Sequence, residues 1–325
     1  MPVLLGCLLK TAGDGLVFLP YFSNMWSALS AGVTGGNVKA LARAISLVEN
    51  EQEGYIAFLE QLPRHAVPVV GITGPPGAGK STLTDALVGM AVQQGKKVAV
   101  LCVDPSSPFH CGALLGDRIR LSRWYLDDRV FIRSLASRGA MGGLNPKIIE
   151  ITDLLRAAPV DLIIVETVGV GQSEIEIAGL ADVTVVVLVP EAGDEVQTMK
   201  AGLMEIADIF VVNKSDRPGA DLFIKNLKQM LAPAFFRTPA LLPVIPTEAH
   251  TGKGVAELYA SLSRKTAAGL LPNERKGWLL AEKAYQLLQK RRMSGIDKRV
   301  LKEAIEEDIK AGRFNLYRFV RDQER

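Results

Sequence analysis

Seven short apolar runs constrain what this chain can fold into: "VPVVGIT", "KVAVLCVD", "VFIR", "DLIIVET", "DVTVVVLVP", "DIFVVNKSD" and "LLPVIPT", spread over residues 66 to 263. Val and Ile follow one another in these runs without polar alternation, which marks strands covered on both faces. Helical stretches separate them, so the expected fold is α/β: a mostly parallel sheet flanked by crossover helices. Open sheets of this kind bind ligands beyond the carboxyl ends of their strands. The polar motifs of this sequence fall at those ends.

The first is Gly74-Pro75-Pro76-Gly77-Ala78-Gly79-Lys80-Ser81, which fits G-x-x-x-x-G-K-[ST] and stands between the strand "VVGIT" and the helix "STLTDALVGMAV". That context makes it a P-loop. Its glycines let backbone N–H groups approach phosphates closely, and the helix N-terminus that follows favours an anion. Lys80 is expected at the β- and γ-phosphates and Ser81 on Mg²⁺, with Thr82 completing the motif. Asp104 ends "VAVLCVD" and Glu166 ends "DLIIVE". Carboxylates at these strand ends can hold Mg²⁺ directly or through water. Asp117 and Arg120 in "GALLGDRIRL" are expected to reach Mg²⁺ and the phosphates respectively, with solvated loop charges as the competing account. Gln172, after the turn Glu166-Thr167-Val168-Gly169, is the candidate for orienting an attacking water. Lys80 and Glu166 complete the catalytic set.

The base end is marked by Asn213-Lys214-Ser215-Asp216, which closes the strand "DIFVVNKSD" and matches the NKxD pattern. An Asp carboxylate accepts from guanine N1–H and N2–H₂ together. Adenine has no such paired donors and would leave the acid unpaired, so the motif selects GTP and GDP over adenine nucleotides. Glu248-Ala249-His250, after "LLPVIPT", stands where a backbone loop can meet the base.

Outside residues 66–263 the pattern is helical. Leu41, Ala44, Ile45 and Val48 share a helix face, which resumes at Ile56, Leu59 and Leu62 before Pro63 stops it. Residues 25–65 are therefore expected to form a helical arm. Residues 1–24 are expected to be a disordered extension or an upstream start, with Met25 as the functional one. After "LLPNERKG", two helices carry Trp278, Ala281, Tyr285 and Leu288, then Leu301, Ala304, Ile305 and Ile309, with Gly312 as a stop. Such helices cannot make a core alone, so residues 264–325 are expected to form a homodimer contact. A net charge of +3 over 325 residues, without a basic stripe, argues against a nucleic-acid partner. The apolar N-terminus is broken by Lys10, Asp14 and glycines, so no membrane span is expected. Cys7, Cys102 and Cys111 lie far apart, as suits a reducing, cytoplasmic setting.

Together "GPPGAGKST", "VDPSSP", "GALLGDRIRL", "VETVGVGQSE" and "GDEVQTMKAGLMEIADIFVVNKSD" strongly resemble the MeaB/ArgK family, the methylmalonyl-CoA mutase-associated GTPases. The resemblance implies a SIMIBI-type P-loop GTPase, usually a homodimer, that gates adenosylcobalamin loading and protects or reactivates a B12-dependent acyl-CoA mutase. It implies slow intrinsic hydrolysis stimulated by that partner. It also implies a switch segment spanning Gly193 to Lys200, with Asp194 and Lys200 as communication residues, and it matches Asp104, Asp117 and Glu166 to the family's magnesium carboxylates. One departure is Phe109-His110-Cys111-Gly112 after "VDPSSP", where the family tends to be small and polar. His110 and Cys111 keep open the alternative of a nickel metallochaperone GTPase. An ATP-dependent kinase or transport-coupled ATPase is the further alternative, against which NKSD argues.

Overall fold

The computed structural model describes residues 20–104, 121–137, 144–167, 173–192, 205–235, 242–267, 274–293 and 296–323. The chain divides into two units, Met1–Leu271 and Pro272–Arg325. The first contains three helices, α1 (Pro20–Thr34), α2 (Val38–Glu49) and α3 (Tyr55–Gln61), followed by β1 (Val69–Thr73), α4 (Lys80–Gln93), β2 (Val98–Asp104) and β3 (Val130–Ala136). Then come α5 (Ile148–Ala157), β4 (Leu162–Thr167), α6 (Ser173–Leu180), β5 (Val183–Leu188), β6 (Ile209–Asn213), α7 (Ala220–Phe235), β7 (Val244–Thr247) and α8 (Val255–Ala267).

Every one of the seven apolar runs becomes a strand. They form one parallel sheet in the order β3-β2-β4-β1-β5-β6-β7. The central strands β1, β5 and β6 are buried at every position, as their unbroken Val/Ile runs require. The edge strands are more open: β3 buries only Phe131 and Leu135, and β7 only Ile245 and Thr247. Successive residues of one strand feed opposite cores. Val185 and Val211 pack with Leu83, Leu87 and Leu258 of α4 and α8. Their neighbours Val186 and Val212 pack with Phe223 and Leu227 of α7.

The arm packs on α5 through α1, α2 and α3. In α2 the predicted face is the buried one, with Leu41, Ala44, Ile45 and Val48 inside, and Asn37 caps the helix by accepting from the Ala40 N–H at 3.0 Å. α3 differs: Tyr55, Phe58 and Leu62 are buried, while Ile56 and Leu59 are only half-buried. The aromatic rings decide this. Trp26 stacks at 4.6 Å on Phe58 and donates to the Glu53 carbonyl at 3.0 Å. A Cβ on Gly54 (φ +86) would lie 2.7 Å from Trp26 Nε1, so a glycine is needed under the indole. α1 begins at Pro20, ahead of the arm's expected start at residue 25, and residues 1–19 lie outside the described residues.

Polar contacts lock the arm down. Arg133 of β3 donates to Glu49 at 2.7 Å and to Ser46 at 3.2 Å. The buried Lys147 ammonium meets Glu51 at 2.8 Å, the Tyr55 hydroxyl at 3.0 Å and Glu150 at 3.2 Å. Burial depresses that ammonium's pKa, but the hydrogen bonds to Glu51 and Tyr55 and the charge of Glu150 outweigh it and hold the pKa above the ordinary lysine value.

The second unit contains α9 (Glu274–Arg292), α10 (Lys298–Lys310) and a third helix the sequence pattern did not announce, α11 (Leu316–Gln323). Gly312 takes φ +67 just beyond α10, as expected of a stop. Within this unit Trp278, Tyr285, Leu288 and Ile309 are exposed. No described helix is long and apolar enough to cross a membrane.

Candidate functional site: a phosphate cradle tied to a base loop

The P-loop leaves β1 at Thr73 and enters α4 at Lys80. Gly74, Gly77 and Gly79 take φ of +139, +76 and +86, values that side chains rarely adopt. At Gly74 a Cβ would fall 2.1 Å from the Val187 carbonyl oxygen of β5, and at Gly79 it would fall 2.3 Å from Asn213 Nδ2. The first and last glycines of the motif are thus demanded by packing as well as by backbone conformation. Pro76 and Gly77 at the crest are exposed, and Ala78 is buried beneath them.

Lys80 is 6% exposed, and its ammonium donates to the carbonyls of Gly74 at 2.8 Å and Pro75 at 2.9 Å. A cation is therefore held inside the loop at the mouth of a helix N-terminus, where a polyphosphate finds complementary charge. Ser81 lies one residue on, and its hydroxyl donates to Glu166 Oε1 at 2.6 Å. Thr84 donates to the other oxygen, Oε2, at 2.8 Å. Glu166 is 6% exposed, and Thr167 beside it donates to the Thr73 hydroxyl at 2.9 Å, which joins the ends of β4 and β1. The P-loop motif put Ser81, and a strand-end position put Glu166, on one expected ion. Thr84 was missed, although its i+3 spacing from Ser81 places both on one face of α4.

Register places β2 beside β4, with Cys102 opposite Glu166 and Val103 opposite Thr167, so the chain at Asp104 reaches the same end of the sheet. The Asp104 side chain lies outside the described residues, as do Asp117, Arg120, Gln172, Asp194, Lys200, His110 and Cys111. Among the described residues no group of three or more His, Cys, Asp or Glu side chains gathers into a metal cluster. The donors that do meet, a serine hydroxyl and a carboxylate, are hard oxygen ligands of the kind Mg²⁺ takes.

At the far end of the cradle, Asn213 joins three segments. Its amide nitrogen donates to the Ala78 carbonyl of the P-loop at 2.9 Å. Its amide oxygen accepts from the Thr247 hydroxyl and from the Ala249 backbone N–H, both at 3.1 Å. Lys214 follows in a left-handed conformation, φ +56, and donates to the Gly77 carbonyl at 2.8 Å. A lysine in that region of backbone space costs about 1–2 kcal/mol. The Ser215 N–H to the Thr247 carbonyl at 3.1 Å helps hold the turn there and leaves Asp216 exposed beside it.

The loop after β7 is stapled by its own charges. Glu248 accepts from Lys253 at 2.6 Å and from Thr251 at 3.2 Å, and the Lys253 hydrogen bond holds the Glu248 carboxyl below its ordinary pKa. Gly254, φ +76, closes this loop where a Cβ would lie 2.1 Å from the Pro246 carbonyl. Of the three residues proposed to meet the base, Glu248 turns onto Lys253 and Ala249 is tied to Asn213. The third, His250, is exposed and lines a cavity of about 530 Å³ with Asp85, Trp124 and Val255.

Comparisons with known proteins agree with this geometry. A family model described as methylmalonyl Co-A mutase-associated GTPase MeaB matches residues 41–300. A Pyrococcus horikoshii protein named as a GTPase is 49% identical over 232 residues, covering 70% of this chain and 73% of that one. The mouse methylmalonic aciduria type A homolog, mitochondrial, is 34% identical over 258 residues, 72% of this chain and 61% of that one. Among solved structures, one described as an LAO/AO transport system kinase superposes with a TM-score of 0.63 at 25% identity, covering 92% of this chain and 96% of that one. A P-loop and an NKSD turn joined by Asn213, inside a match that spans most of the sequence, lead to one conclusion: the chain belongs to the methylmalonyl-CoA mutase-associated GTPase family, MeaB, and is a GTPase.

Proposed function

We propose that this GTPase is a chaperone for an adenosylcobalamin-dependent acyl-CoA mutase of the methylmalonyl-CoA mutase type, gating cofactor loading and protecting or reactivating the enzyme. The observation that carries the switch part of this reading is the Asn213 junction, which fastens the base loop at Ala249 to the P-loop at Ala78. A guanine held at Asp216 and phosphates held at Lys80 then act on one connected framework. The family match supports the choice of partner.

In this reading the P-loop amides and Lys80 bind and orient the GTP phosphates, Asp216 selects guanine, and Ala249 presents backbone to the base. Ser81 and Glu166, with Asp104 and Asp117, hold Mg²⁺, which when bound neutralises developing charge on the β- and γ-phosphates. The hard-oxygen pairing of Ser81 with Glu166 fits that ion. Gln172 orients the attacking water, and Arg120, Asp194 and Lys200 carry the nucleotide state to the mutase. Intrinsic turnover is slow and rises on contact with the partner. The protein works in the cytoplasm as a homodimer through its C-terminal helices, where exposed Trp278, Tyr285 and Leu288 offer an apolar face to a second copy.

The test is single-turnover GTP hydrolysis with and without a purified adenosylcobalamin-dependent acyl-CoA mutase, together with a pull-down in GTP, GDP and a nonhydrolysable analogue. The reading expects faster hydrolysis and nucleotide-dependent capture. Unchanged turnover with equal capture in all three nucleotide states would sink it.

A further inference from the structure

The P-loop motif ends at Ser81, yet the hydrogen bonding does not. Thr84 lies three residues on along α4, fully buried at 0% exposure, while Thr82 between them is exposed. Thr84 and Ser81 grip the same carboxylate, at 2.8 Å on Oε2 and 2.6 Å on Oε1. Two hydroxyls projecting from one rigid helix face, one on each oxygen, define the plane of the group they share, since rotating the carboxylate swings both oxygens and strains both bonds. The consequence reaches Ser81. A hydroxyl has one proton, and when that proton is committed to a carboxylate oxygen the hydroxyl offers only lone pairs to any further neighbour. Lone pairs are what a hydroxyl must present to a cation.

We propose that Thr84 is a positioning residue for the divalent-cation site: it sets the plane of Glu166, and Glu166 in turn holds the Ser81 hydroxyl in the acceptor orientation that a nucleotide-bound divalent cation requires. This rests on the magnesium reading given above. Thr84 acts through Glu166 and touches neither nucleotide nor metal. Partners of this kind behind a metal ligand are worth about 10–100-fold in metal affinity.

The test uses the full-length protein and a fluorescent N-methylanthraniloyl-GDP, with binding titrated against MgCl₂ for wild type, Thr84→Val and Thr84→Ser. In EDTA the three are expected to bind the nucleotide equally. On adding Mg²⁺, the midpoint of the rise in affinity is expected to move up by about tenfold or more in Thr84→Val and to return close to wild type in Thr84→Ser, which keeps the hydroxyl. If Thr84→Val fails to fold, Thr84→Ala set against Thr84→Ser makes the same contrast. Equal midpoints in wild type and the hydroxyl-less variant overturn the proposal, and so does an equal shift in the Ser and Val variants, which would mean packing alone. A wild type whose affinity ignores Mg²⁺ overturns the magnesium reading itself and this inference with it.

Discussion

The Asn213 side chain donates to the Ala78 carbonyl at 2.9 Å across 135 residues of sequence, so the NKSD turn and the P-loop share a direct hydrogen bond. Asn213→Ala removes this bond and the two accepted from Thr247 and Ala249. Net values of about 1 kcal/mol per bond lead us to expect GDP affinity to fall at least tenfold. Fluorescent GDP titration checks this, and a variant that binds as tightly as wild type would remove Asn213 from the coupling.

Asp216 is exposed at the NKSD turn, and the proposed reading has its carboxylate accept from guanine. Hydrogen bonds to a charged acceptor are worth about 1.5–3 kcal/mol each, so Asp216→Ala is expected to weaken GTP binding about a hundredfold while leaving weak ATP binding where it was. Competition of GTP and ATP against the fluorescent nucleotide measures the ratio. A preserved GTP preference would mean that the base is read elsewhere.

Two glycines of the base loop separate strain from collision. Both Gly252 (φ +83) and Gly254 (φ +76) are left-handed, but only at Gly254 would a Cβ strike backbone, 2.1 Å from the Pro246 oxygen. Gly252→Ala is expected to cost about 1 kcal/mol of stability, and Gly254→Ala clearly more, since backbone must move as well. Denaturant unfolding of the two variants compares them directly; equal losses would contradict the geometry.

Glu176 of α6 is half-buried, and burial raises its carboxyl above the ordinary value of 4.5 although the Leu144 backbone N–H bonds to it. With the folded pKa above the unfolded one, its contribution to stability is fully present below pH 4.5 and is lost as pH rises through the raised value. Glu176→Gln removes the titration. We expect the variant's melting temperature, relative to wild type, to be higher at pH 7.5 than at pH 4.5, as read by thermal melts across that range. A difference that is flat with pH would show that Glu176 titrates normally.

The sequence by itself determined the parallel sheet, since unbroken Val/Ile runs such as "VTVVVL" can be satisfied only between two covering layers. It also marked the P-loop and the NKSD turn, each a run of contiguous residues, the P-loop depending on the backbone freedom of Gly74, Gly77 and Gly79. Local periodicity placed the buried face of α2 but misplaced that of α3, where Trp26 stacking on Phe58 outweighed the spacing of Ile56 and Leu59. It passed over α11, eight residues that lie beyond the stop expected at Gly312. Only the tertiary structure decided that β4 lies between β2 and β1, and hence that Glu166 meets Ser81 and Thr84 across 85 and 82 residues. The same holds for Asn213, whose partners Ala78, Thr247 and Ala249 come from β-strand ends and loops remote in the chain. Spacing along a sequence reports which side chains share a face of one element. Which carboxylate a hydroxyl meets depends on which strands are neighbours, and that is settled by packing of the whole sheet.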